Sequence, residues 1–190
     1  MTDSIILLAL LLSLTGQIYS LNNKGLTWSL LAHDYSLNVD RVGCGSCNAY
    51  QGDTSCFAKL PILCVSVSSF KRPPYNVNLC GPSCAMTKEF YDGWTEGYFK
   101  LTQPIQGISL LNFANMKNIC SNQFGSTFTV ASHSMGKYIV GMNSINYFHS
   151  TWPVASLLST GGWAARGYGN LNTTSRFWIF INNQPANCWN

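Results

Sequence analysis

Cys44-Gly45-Ser46-Cys47 is the sharpest reactive string in this chain. Two thiols at that spacing can close a disulfide across a Gly-Ser turn, ligate a metal, or supply a nucleophile once one is activated. With Cys80 and Cys84 the spacing also suits a four-thiolate zinc site. The count argues for disulfides instead: Cys44, Cys47, Cys56, Cys64, Cys80, Cys84, Cys120 and Cys188 make an even set, as expected of an oxidising compartment. No metal and no other cofactor is expected. His33, His133 and His149 have no neighbours at metal-ligand spacing, and no Asp or Glu follows Glu96. The C-terminal half alone therefore holds neither a carboxylate dyad nor a carboxylate calcium site. Ser132-His133-Ser134 lacks the Gly-x-Ser-x-Gly setting of a hydrolase serine.

A second set of chemistry-bearing residues is aromatic and cationic. Trp152, Trp163, Tyr168, Trp178 and Trp189 accompany Arg166 and Arg176 near the C-terminus. Aromatic faces and Arg forks suit a binding surface for a glycan or an extracellular protein. Gly161, Gly162, Gly167 and Gly169 flank Trp163 and Tyr168, so an exposed loop is expected over Gly161 to Asn170. The candidate ligand-binding residues are Trp163, Arg166, Tyr168, Asn170 and Arg176, with no catalytic residue among them. Trp178 lies mid-strand and belongs to the core.

The elements that must position these residues point to an α+β fold. A helix is expected between Ser109 as N-cap and Gly125 as stop, with Leu110, Phe113, Ala114, Met116, Cys120 and Phe124 at spacings of three and four. Strands are expected over Leu60 to Val67, Tyr98 to Thr102, Thr127 to Ala131 and Arg176 to Ile181. The last is apolar on both faces, as in a strand covered on both sides. Leu21 to Asp40 reads as a mixed lead-in, and Gly136 to Asn172 as a long loop region with one short strand. The chain has 190 residues, of which 46% are hydrophobic and 13% aromatic, so it folds rather than remaining disordered. Only 9% is charged, and a diffuse +4 leaves no nucleic-acid footprint.

Ile5 to Leu14 is apolar apart from Ser13, too short to span a membrane and suited to the core of a signal peptide. The expected organisation is a signal peptide over 1–20, a cysteine-rich segment over 21–89 and an aromatic-rich region over 90–190, forming one secreted domain. Asn172-Thr173-Thr174 is a glycosylation sequon. No apolar stretch after the leader is long enough for a membrane span.

Three resemblances follow. Cys44-Gly45-Ser46-Cys47-Asn48-Ala49-Tyr50 resembles the nucleophile segment of papain-like cysteine peptidases, which implies Cys47 as nucleophile and His133 as base. Arg41 stands at that family's oxyanion glutamine, and Asn48 replaces its tryptophan. The region from Trp94 to Trp189 resembles a C-type lectin-like domain. The carrying residues are Gly97-Tyr98-Phe99-Lys100-Leu101, the helix with Cys120, Phe128-Thr129-Val130-Ala131, and Phe177-Trp178-Ile179. That resemblance implies a Cys120–Cys188 disulfide and, because the family's calcium motifs are absent, calcium-independent binding. Cys120 on the helix's buried stripe and Cys188 after the central strand can also face one core. The alternative is that each pairs into the N-terminal segment. Asn48 to Cys56, Leu60 to Cys64, Ser175 to Trp178 and Gln184 to Trp189 are similar to a family of small secreted, mainly bacterial, uncharacterised cysteine-rich proteins. It implies secretion and one domain, and no reaction. The expected function is a secreted, non-enzymatic binding module for a glycan or protein. A structural or cell-envelope assembly subunit is the alternative, with the peptidase behind it.

Overall fold

In the computed structural model the described residues are 24–45, 47–66, 68, 70, 92–133, 135, 138–139, 164–181 and 184–189. The expected signal peptide, Cys80, Cys84, His149 and Trp163 lie outside them.

The architecture is mixed α and β. Its strands are β1 (Lys24–Gly25), β2 (Thr27–Asp34), β3 (Val39–Gly43), β4 (Thr54–Ser55), β5 (Lys59–Leu60), β6 (Leu63–Ser66) and β7 (Asp92–Leu101). They continue with β8 (Ile105–Gln106), helix α1 (Phe113–Phe124), β9 (Phe128–Val130), β10 (Tyr138–Ile139), β11 (Ala164–Tyr168) and β12 (Phe177–Trp178). One curled sheet runs β12-β2-β3-β11-β7-β6-β9, with β10 pairing on β7. Its ends meet. Trp178 bridges in parallel to Ile62 just before β6, and Phe180 to Ser132 just after β9. The Trp178 and Phe180 amides donate to the carbonyls of Pro61 and Ala131, and the His133 amide returns a bond to Phe180. Curling a sheet back on itself in this way covers edges that would otherwise pair with other chains.

Period-two alternation then separates two cores. Trp28, Val42, Leu63, Val65, Phe99, Ala165, Phe177 and Ile179 share one. Ile62, Cys64, Val130 and Trp178 point the other way and meet Leu110, Met116 and Cys120 beneath α1. The aromatic strand is therefore buried on both faces, as its pattern requires, and Trp178 is core. Its indole N–H donates to the Ile105 carbonyl, which satisfies the one polar atom it buries.

The described part of the lead-in, from Lys24 to Asp40, is instead β1 and most of the β2–β3 hairpin. Asp34 Oδ1 accepts from the amides of Ser36 and Leu37 and from the Ser36 hydroxyl, an Asx turn that reverses the chain. Helix α1 stops at Gly125, whose φ is +100°, but begins later than expected. Gly107–Ser109 forms a 3-10 turn, and the cap is Asn112, whose side chain accepts from the Asn115 amide at 2.8 Å.

The expected Cys120–Cys188 bridge is replaced. Cys120 bonds to Cys64 and Cys188 to Cys56, so each C-terminal cysteine reaches into the N-terminal segment. The reason is which face each occupies. The buried stripe of α1 lies over β6, which carries Cys64 on the same face, whereas Cys188 packs between Gly25 and Gly107 beside Cys56. The third pair is Cys44–Cys47. That bond leaves Cys47 without the free thiol of a peptidase nucleophile, and it takes two ligands from a four-thiolate zinc site.

Candidate functional site

Ala164–Tyr168 is a strand in the middle of the sheet, not part of an exposed loop. β11 lies antiparallel to β3 and parallel to β7. Its small residues, which read as loop, are what lets it fit between two neighbours. A Cβ on Gly167 would stand 2.5 Å from Thr95 Oγ1 and 2.8 Å from Phe99 Cε2. Arg166 is consequently buried at 1% exposure, so its guanidinium offers no surface fork.

Tyr168 emerges on the opposite face from Gly167 and is half-buried. A bulge decides what lies beside it. Arg166 is opposite Trp94, but two residues later Tyr168 is opposite Tyr98, so β7 carries two extra residues between the matches. Glu96 takes φ +58° within this bulge, and the Thr95 hydroxyl donates to the Arg166 carbonyl at 3.1 Å. Gly97 has no room for a side chain against the Ser66 carbonyl. The register shift puts two tyrosines together, the re-aiming that bulges commonly perform.

Phe70 completes the group. Its amide donates to the Glu96 carbonyl, which holds Phe70 against β7. Phe70 meets Tyr98 edge-on with centroids 5.0 Å apart and meets Tyr168 at 6.0 Å. The two tyrosine rings are 5.4 Å apart and tilted by 36°. Phe70 and Tyr98 are each 42% exposed. The Tyr98 amide donates to the Ser66 side-chain hydroxyl at 2.8 Å, which ties this part of β7 to β6. Such rings present flat apolar faces with hydroxyl handles at their edges.

Behind this strand end, on the inner face, is a buried Asp–His pair. A bulge in β2 at Leu31 restores the inward phase, so Leu30 and His33 both face Val42 and Asp40 of β3. His33 Nδ1 lies 2.7 Å from Asp40 Oδ1, while Asp40 Oδ2 accepts from the Leu171 amide at 3.0 Å. Burial pushes the Asp40 carboxyl above its usual range, against the opposing bonds from His33 and Leu171. Tyr35 packs edge-on against the His33 ring. His33 Nε2 is buried and has no hydrogen-bond partner among the described residues. Among the described residues no hydroxyl or thiol bonds that nitrogen. What the pair does is tie β2, β3 and the chain after β11 together.

Arg176 serves a similar clamp. Its Nε donates to Thr27 Oγ1 at 2.6 Å, and Nη2 donates to the Thr27 carbonyl at 2.9 Å and to the Asp53 carboxylate. Asp53 Oδ1 in turn accepts from the Thr27 amide. Asn170 is exposed just past β11, as is Asn172 of the sequon. Of the five candidate residues, Tyr168 and Asn170 reach the surface near one another, Arg166 is inside, Arg176 is in the clamp, and Trp163 is outside the described residues. Phe70 and Tyr98 were missed. The one sequence signal for them was Glu96-Gly97 interrupting an aromatic run, a pattern that marks a bulge. Among the described residues no group of three or more His, Cys, Asp or Glu side chains could hold a metal ion. No helix among them is long and apolar enough to cross a membrane. In comparisons with protein-family models, curated proteins and solved structures, nothing matches this chain.

Proposed function

We propose that the protein is a secreted, non-enzymatic binding module that takes a neutral glycan on the Phe70–Tyr98–Tyr168 ledge without calcium. The single observation that carries this reading is the ledge itself, two tyrosine faces and a phenylalanine edge held half-exposed by a bulge and amide hydrogen bonds. Sugar rings stack their C–H faces on such aromatics and bond their hydroxyls to the rim. The low charge supports a neutral ligand, because 9% charged residues leave little to steer an ionic one. The disulfides support an oxidising, extracellular setting. A C-type lectin-like C-terminal half keeps, in its favour, the succession of α1, β9 and the doubly buried β12. Its cysteine support is withdrawn, since Cys120 and Cys188 do not pair with each other.

A glycan array read in EDTA tests the proposal. Binding to neutral glycans is expected, with a loss of at least about tenfold in Tyr98→Ala and Tyr168→Ala, since aromatic anchors carry most of such contacts. A blank array with Tyr98-dependent self-association on size exclusion would replace it with the assembly-subunit reading. Binding abolished by EDTA would contradict calcium independence.

A further inference from the structure

The Cys44–Cys47 bond differs from the other two in what it holds. Cys56–Cys188 and Cys64–Cys120 span 132 and 56 residues, whereas Cys44–Cys47 spans 3. In the chain-entropy model the two long loops restrict the unfolded chain far more than the short one does. Cys64 and Cys120 are fully buried and Cys56 is 1% exposed, while Cys188 is partly buried with its sulfur beside Gly25 and Gly107. Cys47 is partly buried against the core, as Cys188 is, but Gly45 and Asn48 beside it are exposed. Cys44 is buried beneath it in the apolar core. One further bond gives the pair a direction: the Cys47 amide donates to Cys44 Sγ at 3.1 Å. A donor aimed at sulfur stabilises a thiolate there.

We propose that Cys44–Cys47 is a thiol–disulfide exchange site that oxidises accessible dithiols, with Cys47 as the sulfur attacked and Cys44 as the leaving thiolate. A substrate thiolate attacks Cys47 Sγ, forming a mixed disulfide as the Cys44–Cys47 bond breaks. The electron pair leaves on Cys44, where the Cys47 N–H receives it. The substrate's second thiolate then attacks its own sulfur in the mixed disulfide, closing the substrate disulfide and releasing Cys47 as a thiolate. Two electrons pass from substrate to site, and the two protons lost by the substrate thiols end on Cys44 and Cys47 or in solvent. Oxidised glutathione, or another small disulfide of the oxidising compartment, restores the bond by the reverse exchange. The N–H donated to Cys44 Sγ favours that sulfur as the leaving thiolate, so this amide bond sets the regiochemistry. The site is independent of the aromatic ledge.

Its test uses the full chain exposed to reduced glutathione, quenched with acid, alkylated and mapped by peptide mass spectrometry. Cys44–Cys47 is expected to open at least about tenfold faster than the other two bonds, with glutathione trapped on Cys47 and near-ultraviolet circular dichroism unchanged. In a second arm, substoichiometric protein with oxidised glutathione should accelerate oxidation of a reduced dithiol peptide. The double variant Cys44→Ala/Cys47→Ala, which keeps Cys56–Cys188 and Cys64–Cys120, should not. Opening of all three bonds together, glutathione on Cys44, or equal rates for wild type and double variant would each overturn the proposal. The last outcome would leave only a labile surface disulfide.

Discussion

His133 packs 5.7 Å from the Trp28 ring, and burial lowers its pKa from 6.5 to about 4. The unfolded chain takes up this proton below pH 6.5, whereas the native state resists it until about 4. Stability from neutral His133 is therefore complete above pH 6.5 and is lost as pH falls towards 4, a cost of about 3 kcal/mol. Asp40 has the opposite sign. Its pKa is raised above 3.8 chiefly by burial, so its share is fullest below 3.8 and declines as pH rises through the native value. Between pH 6.5 and 4 the His133 share falls as pH drops. Urea denaturation across that range should show falling stability, and His133→Gln should remove most of the slope. A wild-type profile that is flat there would contradict the burial of His133. None of this was legible beforehand, because Ser132-His133-Ser134 carries no local mark of the Trp28 contact. Asp40 and His33 were likewise seven positions apart with no motif joining them. The pair exists only through hairpin register, and that register depends on an unannounced bulge at Leu31.

At the scale of elements, the sequence was readable where pattern and burial agree. Gly125 stops α1, and the apolar run at Phe177 to Ile181 is covered on both faces. It misled where small residues serve packing. Ala164-Ala165-Arg166-Gly167-Tyr168 looks like a loop by composition and is a central strand because β3 and β7 approach it closely. Gly167→Ala tests that directly. A methyl group there meets Thr95 and Phe99, and the expected loss is about 1–3 kcal/mol in equilibrium unfolding. An unchanged midpoint would mean that β11 sits less tightly than described. The helix start was displaced because Ser109 closes a 3-10 turn and Asn112 supplies the cap. Asn112→Ala should cost about 1 kcal/mol, while Ser109→Ala should cost almost nothing in the same measurement.

At the scale of the whole molecule, strands from both ends of the chain interleave in one sheet. Thr27 of β2 and Asp53 receive Arg176, while Cys56 and Cys64 receive Cys188 and Cys120. Counting cysteines pointed to an oxidised chain but could not choose partners, because pairing depends on which sheet face each residue occupies. With both long loops closed, Cys56→Ala/Cys188→Ala should lose about 2–5 kcal/mol in denaturant unfolding, far more than removal of Cys44–Cys47. The ledge, the Asp–His pair and the exchange site all depend on this one stapled, self-meeting sheet. Non-reducing digestion with peptide mass spectrometry tests it most directly. The expected map links the Cys56 peptide to the Cys188 peptide and the Cys64 peptide to the Cys120 peptide. A Cys120–Cys188 link would contradict it.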